Sequence, residues 1–159
     1  MPPDQPVRYS LDTSALLNAW RRNYPPDLFP TLWDNIDGLV ASGTLIASEE
    51  VLIELEKKDD EVFAWAKQRA NMFIPIDGQV QQLVSRILQS YPRLIDNRTS
   101  RSGADPFVIA LAIIERCTVV TNERATGNQT RPNIPDVCSG IGVRCISLVE
   151  LIREQNWRI

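Results

Sequence analysis

The chain reads as a single α/β domain over residues 1–159, with a mostly parallel sheet of about five strands and helices on both faces. Two observations predict this. Short apolar runs of strand type alternate with longer stretches whose apolar residues recur at helical spacing. The length of 159 residues, with 43% apolar and 23% charged side chains, suits one compact domain with its own core. Strands separated by helices need right-handed crossovers, which make the sheet parallel. Such sheets place their ligands outside the C-terminal ends of the strands.

The elements follow in order. Val7 to Leu11 reads as a strand and Ser14 to about Arg22 as a helix, broken at Tyr24-Pro25-Pro26. Leu32, Ile36, Leu39 and Val40 share one face of a helix from about Leu28 to Ala41, which Gly43 ends. Thr44 to Ala47 is the next strand, and Ser48 caps a helix from Glu49 to Lys57. Asp59 or Asp60 starts another helix, Met72 to Ile76 is a strand, and Asp77 caps a helix from Gln79 to about Gln89. Asn97 to Gly103 is a polar loop, Pro106 to Arg116 an apolar helix, and Cys117 to Thr121 a buried-type strand. Glu123 to Asp136, with Gly127, Pro132 and Pro135, reads as a long loop that extends through Cys138. Val143 to Ile146 is the last strand and Leu148 to Gln155 the last helix.

Composition narrows the chemistry. The sequence contains no histidine. That excludes a Ser-His-Asp or Cys-His nucleophile, a His-ligated zinc and an imidazole general base. The three cysteines, Cys117, Cys138 and Cys145, have no CxxC spacing and do not form a disulfide framework; Cys117 and Cys145 sit in apolar runs as small core residues. Hydrolytic chemistry here must run on carboxylates with a hard cation, Mg²⁺ or Mn²⁺. The net charge of −3 does not advertise a nucleic-acid binder, although a cation on a carboxylate site would offset part of it. No apolar run approaches the roughly 20 residues that span a bilayer, and the first residues have no signal-peptide pattern, so a cytoplasmic protein is expected.

Acidic residues fall at telling places. Asp12 follows the first strand directly, in Leu11-Asp12-Thr13-Ser14, where its carboxylate reaches the sheet edge or caps the next helix. Asp105 precedes Pro106, which makes it the N-cap of its helix; capping and metal binding are compatible, because a carboxylate has several lone-pair sites. Glu54 lies one turn after Glu50, a repulsive spacing, and can instead pair with Lys57 or Lys58. Glu123 follows the fourth strand, with Asn122 beside it. Acids gathered at one edge raise each other's pKa, and a divalent cation relieves that repulsion.

These pieces resemble the PIN-domain nucleases, in particular the VapC-type toxins of bacterial toxin–antitoxin pairs. The matching segments are Leu11-Asp12-Thr13-Ser14-Ala15-Leu16, Val51-Leu52-Ile53-Glu54-Leu55, Ala104-Asp105-Pro106-Phe107-Val108-Ile109-Ala110 and Val119-Val120-Thr121-Asn122-Glu123. The extended loop through Ile134-Pro135-Asp136-Val137-Cys138 is similar to PIN-like proteins of unassigned function. The resemblance implies a metal-dependent endoribonuclease using Mg²⁺ or Mn²⁺. Asp12, Glu54 and Asp105 would be its ligands. Glu123 would stand where the family usually has Asp, acting directly or through water, and Thr13, Ser14, Thr121 and Asn122 would support them. Products with a 5′-phosphate and a 3′-hydroxyl are implied, as are an antitoxin partner and a homodimer.

Substrate phosphates need cations, and Arg21, Arg22, Arg98, Arg101, Arg124 and Arg131 are the candidates. Trp20, Trp33, Trp65 and Phe29 either line a groove for a partner helix or belong to the core. Two other classes compete. An aspartyl phosphotransferase would need a second Asp where Ser14 stands, and a PIN-like scaffold without nuclease activity would have no need of the four acids.

Overall fold

The computed structural model describes residues 6–95 and 103–159. Five parallel strands form one sheet in the order β3-β2-β1-β4-β5, with β1 at Tyr9–Leu11, β2 at Leu45–Ser48, β3 at Phe73–Ile74, β4 at Thr118–Val120 and β5 at Cys145–Ile146. Every residue of β1, β2 and β4 is buried. Successive side chains of a strand point to opposite faces, so both faces of the sheet are covered by helices. The predicted fold class is the one observed.

The helices are α1 Thr13–Asn18, α2 Pro30–Ala41, α3 Glu49–Lys58, α4 Asp60–Lys67, α5 Gly78–Ser90, α6 Asp105–Glu115, α7 Ile134–Ile141 and α8 Leu148–Glu154. Local chemistry explains their starts. The Ser48 hydroxyl accepts from the Glu50 N–H at 3.3 Å, the Asp59 carboxylate from Glu61 and Val62 at 3.0 Å, and Asp77 from Val80 at 2.9 Å. Asp59, rather than Asp60, is therefore the cap of α4.

Three expectations need correction. The first helix does not run regularly to Arg22: after Asn18 it widens into a π-helical turn over Ala19–Asn23, closed by the Tyr24 N–H on the Ala19 carbonyl at 2.8 Å. Asp105 is not the N-cap of α6 but its first residue, with Ala104 as cap and Pro106 second. The stretch after Glu123 is not loop throughout, because Ile134 to Ile141 forms α7. Pro135 there is an N-terminal helix proline, where its missing N–H costs nothing, and not a breaker.

Trp33 and Trp65 are buried, and Trp20 meets both edge-on with ring centroids 5.0 and 6.3 Å away. The indoles belong to the core, and their geometry is the edge-to-face arrangement that aromatic quadrupoles favour. Cys117 and Cys138 are buried and Cys145 half-buried. Among the described residues, no helix is long and apolar enough to cross a membrane.

Candidate functional site

The strand order places a switch point between β1 and β4. From β1 the chain builds outward through β2 and β3, then returns to the other side for β4 and β5. Connections leave in opposite directions there, which opens a crevice at the C-terminal ends of the two strands. Asp12 directly follows β1 and Thr121 directly follows β4, so both lie at that crevice.

Backbone pairing sets their positions. The Asp12 N–H donates to the Val120 carbonyl at 2.9 Å, continuing the ladder by one rung. The Asp12 carboxylate then accepts from the Ser14 hydroxyl at 2.5 Å and the Thr121 hydroxyl at 2.8 Å, and these hydroxyls stand 3.2 Å apart. The network extends outward: the Asn122 N–H donates to the Ser14 hydroxyl and the Glu123 N–H to the Thr121 hydroxyl, each at 3.1 Å. Asp12 is 2% exposed. Burial pushes its carboxyl above the usual range, against the lowering effect of the Ser14 and Thr121 hydrogen bonds.

Glu54 projects from α3, which packs on α1, and is 9% exposed. Its Oε1 pairs with the Lys58 ammonium at 2.8 Å, the i,i+4 partner foreseen in the sequence. Its Oε2 is buried without a hydrogen-bond partner. Burial raises this carboxyl; Lys58 opposes the rise, and the charges of Asp12 and Glu50 add to it. The Asp12 and Glu54 carboxylates are therefore within electrostatic reach of each other.

Asp105 opens α6, which runs antiparallel to the strands and so starts at their C-terminal edge. The Ser10 hydroxyl anchors that helix by donating to the Val108 carbonyl at 3.0 Å, one turn along from Asp105. Asp105 is buried. Glu123 is half-buried, and its Oε2 accepts from the Ile134 N–H at 2.9 Å, at the start of α7. Thr13 is buried at the first position of α1, and its hydroxyl has no partner. Among the described residues, no three Asp, Glu or Cys side chains stand close enough to form a ready-made ligand set.

The donor chemistry of this edge nonetheless fits a hard divalent cation. Asp12 and Glu54 offer only oxygen, both carboxylates are desolvated, and one buried Glu54 oxygen is unsatisfied. Such an oxygen costs free energy until a cation or donor reaches it.

The arginines separate into groups. Arg21 is engaged: it donates to Asp59 at 2.7 Å and to the Lys58 carbonyl at 2.8 Å. Arg22, Arg124 and Arg131 are exposed and form no ion pair among the described residues. Arg98 and Arg101 lie outside the described residues.

Asp136 is the residue whose part the sequence reading missed. It is buried at the third position of α7, and its carboxylate accepts from the N–H groups of Asn133, Thr126 and Gly127 at 2.8, 2.9 and 2.9 Å and from the Thr126 hydroxyl at 3.1 Å. Burial acts to raise its carboxyl, but the hydrogen bonds together outweigh burial and hold it below the usual range. The signal was present as Asn133-Ile134-Pro135-Asp136, a cap residue, an early proline and a third-position acid.

Comparison with solved structures finds the same fold in VapBC2 from Rickettsia felis, crystallised with a DNA fragment from its promoter. The TM-score is 0.52 at 20% identity, over 89% of this chain and 98% of that one. The architecture is thus a PIN-like fold of the VapC kind. No curated protein sequence matches the chain. A family described as a domain of unknown function (DUF4411) matches residues 9–159, and the chain belongs to that family.

Proposed function

We propose that this protein is a metal-dependent endoribonuclease, the toxin of a toxin–antitoxin pair, acting at the β1–β4 crevice. The observation that carries the reading is Asp12: a desolvated carboxylate at the switch point, oriented by two hydroxyls and within the field of Glu54. A PIN-like fold and a structural neighbour that is a VapBC complex support it.

Asp12, Glu54 and Asp105 would hold Mg²⁺ or Mn²⁺, with Glu123 directly or through water. The bound ion would supply Lewis acidity and a water of lowered pKa. Ser14 and Thr121 fix the Asp12 carboxylate so that it need not reorganise when charge develops on the phosphate. In holding the cation, Glu54 would give up its ion pair with Lys58. RNA is the substrate class of this reading, an antitoxin its protein partner and a homodimer its assembly.

The test is cleavage of single-stranded RNA in Mn²⁺ by the wild type, Asp12→Asn and Asp105→Asn. The expected result is cleavage that EDTA stops and that falls by at least about 100-fold in either variant. Cleavage unchanged in both variants contradicts the site. No metal-dependent cleavage of any RNA by the wild type favours a PIN-like binding scaffold.

A further inference from the structure

Residues 121–133 join β4 to α7 with no regular structure of their own, yet side chains pin this segment from end to end. At its start the Thr121 hydroxyl is bound to Asp12, and at its end the Glu123 carboxylate caps the Ile134 N–H. In the middle, Asp136 gathers Thr126, Gly127 and Asn133 through four hydrogen bonds. Three of these donors meet Oδ2 and one meets Oδ1, so Asp136 fastens the segment at both carboxylate oxygens. Gly127, at φ +74°, gives the turn that aims its N–H at Asp136. The Arg131 N–H donates to the Asn128 carbonyl at 3.2 Å, and the Asn133 amide donates to the Arg124 carbonyl at 2.7 Å.

Two residues held by these backbone bonds are thus Arg124 and Arg131. Their guanidiniums are exposed and, unlike those of Arg8, Arg21, Arg69 and Arg144, are not neutralised by an acid among the described residues. The arm that carries them begins at the residue bound to Asp12. Unpaired guanidiniums on a pre-ordered arm suit a phosphate backbone, since little side-chain or loop entropy remains to be lost on binding.

We propose that the 121–133 arm is the platform that grips the RNA backbone beside the acid site, through Arg124 and Arg131, with Asp136 as its positioning residue. The assignment rests on the RNA-hydrolysis reading above.

The test is binding of a short fluorescein-labelled single-stranded RNA, followed by anisotropy in EDTA across a range of salt, alongside cleavage in Mn²⁺. The Arg124→Gln/Arg131→Gln double variant is expected to bind at least about tenfold more weakly, with the slope of log K against log salt reduced by about 1.4 for two lost phosphate contacts. Asp136→Asn is expected to lose slope in the same way and to be cut faster by trypsin after Arg124. A purely structural role would leave the slope of the folded variant at the wild-type value. If Asp136→Asn does not fold, the double arginine variant decides alone. Cleavage with affinity and slope unchanged in the double variant overturns this assignment and leaves the nuclease reading standing. Arginine-dependent binding with no cleavage does the reverse, and no RNA binding by the wild type overturns both.

Discussion

The Thr121 hydroxyl donates to the Asp12 carboxylate at 2.8 Å and thereby ties the end of β4 to the end of β1 across the switch point. The bond lowers the carboxyl that burial raises. Replacing Thr121 by Val keeps the shape and removes the donor. The expected cost is about 1 kcal/mol at neutral pH, measured by urea unfolding. The cost should shrink in acid, where Asp12 is protonated.

Asp12 itself makes the metal-free protein pH-sensitive. Its folded carboxyl titrates above the ordinary value of 3.8, so the folded state holds its proton to higher pH than the unfolded chain does. The folded state therefore loses stability as pH rises from 3.8 through the folded pKa. Asp12→Asn should therefore melt higher than wild type in EDTA at pH 7. The difference should vanish below pH 3.8.

Asp136 has the opposite sign. Its carboxyl is held below 3.8, so its contribution is complete above that value and is lost as pH falls through the folded pKa. Asp136→Asn should cost about 2 kcal/mol at neutral pH, because the amide lacks the charge and replaces one of the two accepting oxygens with a donor. Urea titrations at neutral and acidic pH should show the gap closing only in acid.

Gly140 on α7 faces Tyr91. A methyl group added at Gly140 would overlap the Tyr91 hydroxyl and come within 3.0 Å of Gln129 Oε1. Gly140→Ala should destabilise by about 1–2 kcal/mol. Adding Tyr91→Phe should recover part of that loss. Two additive losses in the double mutant would contradict the contact.

Much of this was legible in the sequence because the relevant signals are local. Strand ends put Asp12 and Glu123 at the sheet edge, caps were readable at Ser48 and Asp77, and helical spacing narrowed the partner of Glu54 to Lys57 or Lys58. The π-helical turn was not legible, because it pairs Tyr24 with Ala19, and no local residue marks that register. Helix α7 was hidden by composition: Gly127, Pro132 and Pro135 read as punctuation, although Pro135 sits where a helix accepts proline. The Asp136–Asn133 contact was readable as a cap motif, but the contacts with Thr126 and Gly127 lie ten and nine residues away, beyond any short motif. The direction of the Glu123 carboxylate depends on where α7 begins, and so was lost with that helix.

In the proposed site, Asp12 and Glu54 share a divalent cation. Calorimetric titration of the purified protein with Mn²⁺ tests it most directly, using wild type, Asp12→Asn, Glu54→Gln and Lys58→Gln. Asp12→Asn and Glu54→Gln should abolish the binding heat. Lys58→Gln, which frees Glu54 from its competing ammonium, should tighten binding by about 1 kcal/mol. Wild-type affinity retained in both Asp12→Asn and Glu54→Gln would contradict the account.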